Sequence, residues 1–197
     1  MDALKALLTR RSTRRFKADP VEQEKLDMIL RAAAQAPSGG NNQTSHFLVI
    51  RNKDIQNELA SMAEKAFSQM EATEDTYRSL RNAINASKKG GYVFHYNAPV
   101  LIAVANQKDY SNNIADCACA LENMMIAANA LDLGSCWVNQ LKWLNDDDGI
   151  NGYLMKLGMK ESERVYGALV LGYPDTADGL PNREPTPRKG NEVTFAD

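Results

Sequence analysis

Three guanidinium groups and two hydroxyls stand together in Arg10-Arg11-Ser12-Thr13-Arg14, and a second polar cluster follows in Pro37-Ser38-Gly39-Gly40-Asn41-Asn42-Gln43. Arginine presents a planar fork of donors that matches phosphate oxygens. Hydroxyls, amides and exposed backbone N–H groups in a loop of small residues complete such a cradle. Positive charge returns at the far end of the chain in Arg188-Lys189. The chemistry these residue types suit is the holding of a phosphorylated, hydrogen-bonding organic cofactor. Taken singly, each segment has a plainer reading. Arginines at a helix C-terminus complement its dipole, the Pro-Ser-Gly-Gly-Asn-Asn run makes a turn, and Arg188-Lys189 is a solvated tail. Spacing alone does not bring the three segments together.

The totals fit one soluble domain able to bury a core. The chain has 197 residues, 44% of them hydrophobic and 24% charged. A net charge of -2 provides no field that would recruit nucleic acid or an anionic membrane. No apolar run reaches the length of a membrane span, and the first residues lack a signal-peptide core, so a cytoplasmic location is expected. Cys117, Cys119 and Cys136 are odd in number and read as free thiols in apolar surroundings. His46 and His95 have no metal-ligand spacing around them, so no zinc site is expected. Asp146-Asp147-Asp148 reads as the start of a helix, where negative charge is favourable, rather than as a metal site.

The elements that must position the clusters follow from periodicity. Leu4, Leu7 and Leu8 share one face of a short helix over 2–11 that ends in the arginines. Asp19-Pro20, with Glu22 at capping-box spacing, predicts the start of a second helix carrying Leu26, Ile29, Leu30 and Ala33, and Pro37 to Gly40 stop it. His46–Ile50 predicts a buried strand, and residues 54–70 a helix. Residues 71–95 are polar and mixed, and read as further helix leading to a flexible segment or a surface excursion. Residues 98–105 predict a central strand with Pro99 at its entrance. A long, nearly all-apolar helix follows over 113–133, ended by Gly134. Residues 135–138 are extended, 165–172 form another buried strand, and Pro174, Pro181, Pro185 and Pro187 keep the tail extended. The pattern predicts a sheet with helices on both faces.

These motifs, in this order, resemble the nitroreductase superfamily of FMN-dependent oxidoreductases. The matching pieces are Arg10–Phe16, Ala36–Gln43, Ala98–Ile102, Gly134–Val138 and Tyr166–Pro174. The resemblance implies a single α+β domain over 1–197, with a mixed, mainly antiparallel central sheet and helices on both faces. It implies an intertwined homodimer with FMN at the subunit interface, and NADH or NADPH as a transient electron donor. Residues 64–95 would form a lid or variable segment and 174–197 an extended arm. Arg10 and Ser12 would bind the phosphate or ribityl chain, Arg11 would act through its backbone, and Arg14 would approach the pyrimidine edge. Pro37, Ser38, Gly39, Asn41 and Gln43 would come from the other subunit. Val138, Asn139 and Gln140 would lie against the ring near N5, with Arg188 and Lys189 closing on the phosphate. Flavin N5 carries such chemistry, so no side chain is assigned as a catalytic acid, base or nucleophile.

The implied reaction is a ping-pong hydride transfer to nitroaromatics, quinones or flavins. Other flavin chemistry (dehalogenation, ene reduction) and non-catalytic flavin binding are the alternatives. There is no Gly-x-Gly-x-x-Gly element for a Rossmann-type nicotinamide site. The chain departs from many relatives at Thr44-Ser45, where they carry Pro-Trp, and at Asn139-Gln140, where better-known members carry Glu-Gly. Phe67, Tyr77, Tyr92 and Phe94 are candidates for lining a pocket.

Overall fold

The computed structural model describes residues 1–184 and 186–196; Pro185, among the tail prolines noted above, lies outside them, as does Asp197. Four strands make one sheet in the order β1-β2-β4-β3: β1 His46–Ile50, β2 Val100–Gln107, β3 Gly134–Val138 and β4 Glu163–Gly172. Every pairing between these strands is antiparallel, and among the described residues the one parallel contact is an isolated bridge between Ser12 and Ser135. The sheet is therefore less mixed than the expected one.

Side chains alternate across β2, the strand buried along nearly its whole length. Leu101, Ala103 and Ala105 face a core shared with α3 (Lys53–Ser68), α4 (Arg78–Lys89), α6 (Gln140–Trp143) and α7 (Asp148–Lys156). Val100, Ile102 and Val104 face the opposite core, shared with α2 (Gln23–Ala34) and α5 (Asn113–Ala130). On β1, Leu48 and Ile50 are buried while Val49 is exposed. It is an edge strand with one wet face, not the fully buried strand expected from its apolar run.

Several element ends differ from the sequence reading. α1 spans Ala3–Thr9 and buries Ala6, leaving Leu4, Leu7 and Leu8 exposed. α2 begins at Gln23 with Glu22 as its N-cap, so Asp19 caps nothing and Pro20 precedes the helix. α5 stops before Leu131 and the chain turns at Asp132, whose φ is 62°. Gly134 is instead the first residue of β3. A Cβ there would lie 2.7 Å from Thr13 Cγ2 and Oγ1, so glycine is required by the close passage of the N-terminal segment. Asp147 caps α7 by accepting a hydrogen bond from Ile150 N, so the aspartate run stands at a helix start.

Candidate functional site

Beyond α1 the chain becomes a strap laid across the ends of β3 and β4. Thr13 N donates to Ser135 O at 2.8 Å, Lys17 N to Tyr173 O at 2.9 Å, and Asp175 N to Arg15 O at 3.0 Å. Backbone groups hold the strap. Arg10, Arg11, Ser12 and Arg14 line a hollow of about 310 Å³, and Thr186, Pro187 and Arg188 from the C-terminal arm form its other wall. Lys189 is exposed and does not line that hollow. Arg10 Nε lies 3.6 Å from Glu122 Oε1, while Arg14 and Arg188 pair with no carboxylate among the described residues. Arg11 donates through its side chain to Glu184 O and so ties down the arm.

Arg14 also lines an adjoining hollow of about 570 Å³, together with Tyr92, Tyr96, Gln140 and the α4 residues Arg78, Ser79, Asn82, Ala83 and Ala86. Arg14 is the residue that lines both hollows. Arg14 is held above the ordinary guanidinium value, first by the adjacent Cys136 sulfur and then by the Tyr96 hydroxyl, against the opposing effect of burial. Cys136 lies beneath the strap. Burial pushes its thiol up, partly offset by Arg14, Ser12 and Arg10. Gln140 Nε2 donates to Tyr92 Oη at 2.7 Å, and Gln140 Oε1 is buried with no partner among the described residues. Burial pushes Tyr92 up to about 12, despite that bond, so it remains a neutral phenol. Val138 is packed in the core, and Asn139 Oδ1 accepts from Trp137 Nε1 at 2.8 Å.

The second predicted cluster lies elsewhere. Pro37, Ser38 and Gln43 line a separate hollow of about 140 Å³ with Phe47, Asp116 and Ala120. Gly39 is clamped by α5 and the segment before it: its N–H donates to Asp116 Oδ1 at 3.1 Å, and Tyr110 Oη donates to its carbonyl at 3.0 Å. Any Cβ on Gly39 would collide with Asn112 and Tyr110. Gly40, Asn41 and Gln43 all take positive φ, at 59°, 56° and 52°. Left-handed backbone at two non-glycine residues costs of the order of 1 kcal/mol each and persists only where the surroundings enforce it. Asp116 is in the first turn of α5, whereas Asn129, in its last turn, donates to Ala6 O of α1. About 20 Å of helix separates these anchors, so within one chain the loop and α1, which leads into the strap, attach to opposite ends of α5.

The resulting picture differs from the sequence reading in the region 64–95. Phe67 and Phe94 are fully buried core residues, and Tyr77 is exposed and stacks edge-on against Trp143. Only Tyr92 of the four aromatic candidates lines the hollow. Arg78, Asn82 and Ala86 were not singled out from the sequence. Their spacing of four puts them on one helix face, and that stripe was the available signal.

The sequence profile of the Nitroreductase family matches residues 7–173. The chain belongs to the nitroreductase family. A protein of Archaeoglobus fulgidus named as an NADH dehydrogenase/NAD(P)H nitroreductase is 30% identical over 178 residues, covering 88% of this chain and 86% of that protein. A Bacteroides fragilis nitroreductase with bound FMN superposes with a TM-score of 0.84 at 34% identity, covering 100% of both chains. A Desulfitobacterium hafniense nitroreductase, also with bound FMN, shares the fold at a TM-score of 0.80 and 24% identity, again over 100% of both chains. The family match ends at Tyr173, so the arm carrying Arg188 lies beyond it.

Proposed function

We propose that this chain is an FMN-dependent NAD(P)H oxidoreductase that works as a homodimer, reducing electron-poor acceptors such as nitroaromatics, quinones or flavins in a ping-pong cycle. The observation that carries this reading is the meeting of Arg10, Ser12 and Arg188, from opposite ends of the chain, around one hollow that continues past Arg14 into a second. FMN bound there would supply the two-electron relay between nicotinamide and acceptor. Arg10, Arg188 and Ser12 would hold the phosphate, with each charge-assisted bond contributing about 1.5–3 kcal/mol. Arg14 keeps a fixed positive charge at the junction, where it would favour negative charge on the pyrimidine edge of a reduced ring. Gln140 has an unmatched buried acceptor oxygen beside the same space, and Val138 and Asn139 would back the ring.

The separation of the loop from α1 along α5 supports a second copy. Pro37, Ser38, Gly39, Asn41 and Gln43 of one chain would complete the site of the other. Apolar residues left uncovered agree with this: Leu4 and Leu8 are 72% and 76% exposed, and Ile114 on α5 is 52% exposed. Purified protein should be yellow, sediment as a dimer with two FMN per dimer, and bleach when NADH or NADPH is added without oxygen. Colourless protein that does not take up added FMN would refute the flavin reading. Bleaching by dithionite but not by nicotinamide would keep the flavin and remove the donor.

A further inference from the structure

We infer that Asn129 and Arg183 form a positioning node that sets the distance between Arg10 and Arg188, and so gives this chain its preference for a phosphorylated flavin over an unphosphorylated one. The inference rests on the phosphate reading above and concerns residues that do not line the hollow.

Asn129 is the one amide in the apolar run Met124–Leu131 near the end of α5, and it is 2% exposed. An amide so placed is costly unless its hydrogen-bonding groups are matched. Here they are. Its Nδ2 donates to Ala6 O at 2.8 Å and to Thr9 Oγ1 at 3.1 Å, which fixes the last turn of α1. Arg10 is the C-cap of that turn. Its Oδ1 accepts from Arg183 Nε at 3.1 Å, and its backbone oxygen accepts from Arg183 Nη2 at 2.5 Å. Arg183 Nη2 also reaches Asp132 Oδ1 at 2.6 Å, in the turn after α5. A rotated amide would point NH2 at the guanidinium and oxygen at Ala6 O, so only one orientation serves both neighbours.

The Asn129 side chain therefore joins the element that ends in Arg10 to the arm that carries Arg188, one residue before the point where Arg11 holds Glu184 O. The stretch from Arg183 to Arg188 spans at most about 17 Å when extended, so the pin confines Arg188 to the neighbourhood of Arg10. Without the pin the arm retains its charge but samples a larger volume, and the effective concentration of Arg188 at the phosphate falls. The ring-binding part of the site, built from β3, α4 and Arg14, does not depend on the arm.

The test is fluorescence titration of FMN and of riboflavin against apoprotein of the wild type, Arg183→Met and Arg183→Lys, with thermal unfolding of each. Wild type should bind FMN more tightly than riboflavin. Arg183→Met should weaken FMN roughly tenfold and leave riboflavin nearly unchanged. Arg183→Lys keeps the Asp132 ion pair but loses the two-point grip on Asn129, and should fall between the two. It also decides the matter if the methionine variant does not fold. Equal loss of both ligands, or an unchanged ratio, would overturn the node while leaving the phosphate reading intact. A wild type with no preference for FMN would remove that reading and the node with it.

Discussion

The strap at residues 10–16 and the loop at 37–43 are both polar, both precede a strand or lie across one, and are held by opposite means. The strap is fixed through its backbone to Ser135 and Tyr173, so its arginines owe little to the fold. The loop is fixed by side chains of another element, Asp116 and Tyr110, and pays for its shape in left-handed residues. The difference separates ligand affinity from local architecture. The strap keeps its path through backbone bonds when most of its side chains change, whereas the loop changes shape when residues remote from any ligand are altered.

The largest effect should come from removing the space beneath the strap. Gly134→Val places methyl groups where Thr13 lies and should destabilise the protein by about 3 kcal/mol. FMN affinity should fall with it, while the loop region keeps its protection in amide hydrogen exchange. Urea unfolding and exchange mass spectrometry would check this, and equal loss of protection at both regions would break the comparison.

A smaller effect is expected at the loop. Asp116→Ala removes the acceptor for Gly39 N–H and should cost about 1 kcal/mol of stability. It should weaken FMN and riboflavin alike, because the loop has no part in the phosphate hollow. Isothermal titration with both ligands measures the ratio, and a selective loss of FMN would contradict the assignment.

A further effect should be visible only in alkali and is absent at neutral pH. Cys117 lies beside the loop, 4.0 Å from Ser45 Oγ, and burial pushes its thiol up to about 11. The unfolded chain ionises this thiol first, so the folded state binds the extra proton. Stability from this source is complete below the ordinary thiol value near 9 and is lost as pH rises through about 11. Cys117→Ala should flatten that alkaline limb by the order of 1–2 kcal/mol in denaturant titrations at pH 8 and pH 11.

Much of this architecture could be read from residue order. The apolar runs of β2 and β4, the capping Asp147 and the apolar length of α5 each follow from local rules. What stayed hidden depends on contacts between distant segments. Gly134 looked like a helix stop because a glycine after an apolar helix serves that role; only the passage of Thr13 over it reveals the other reason. Arg78 and Asn82 sat in a polar stretch that a solvated helix would equally produce. Arg183 and Asn129 are ordinary residues until the arm folds back along α5. Phe67 and Phe94 resembled pocket aromatics because hydrophobic packing and ring-binding use the same side chains.

α5 acts as a yardstick between the two ends of the site. Its 18 residues give a rod about 27 Å long with Asp116 near one end and Asn129 near the other. Inserting a single residue between them would turn one anchor by about 100° relative to the other and swing it away from its partner. Two turns, seven residues, would restore the facing but displace the anchors by about 10.5 Å. Relatives of this chain should therefore hold the number of residues in this helix constant.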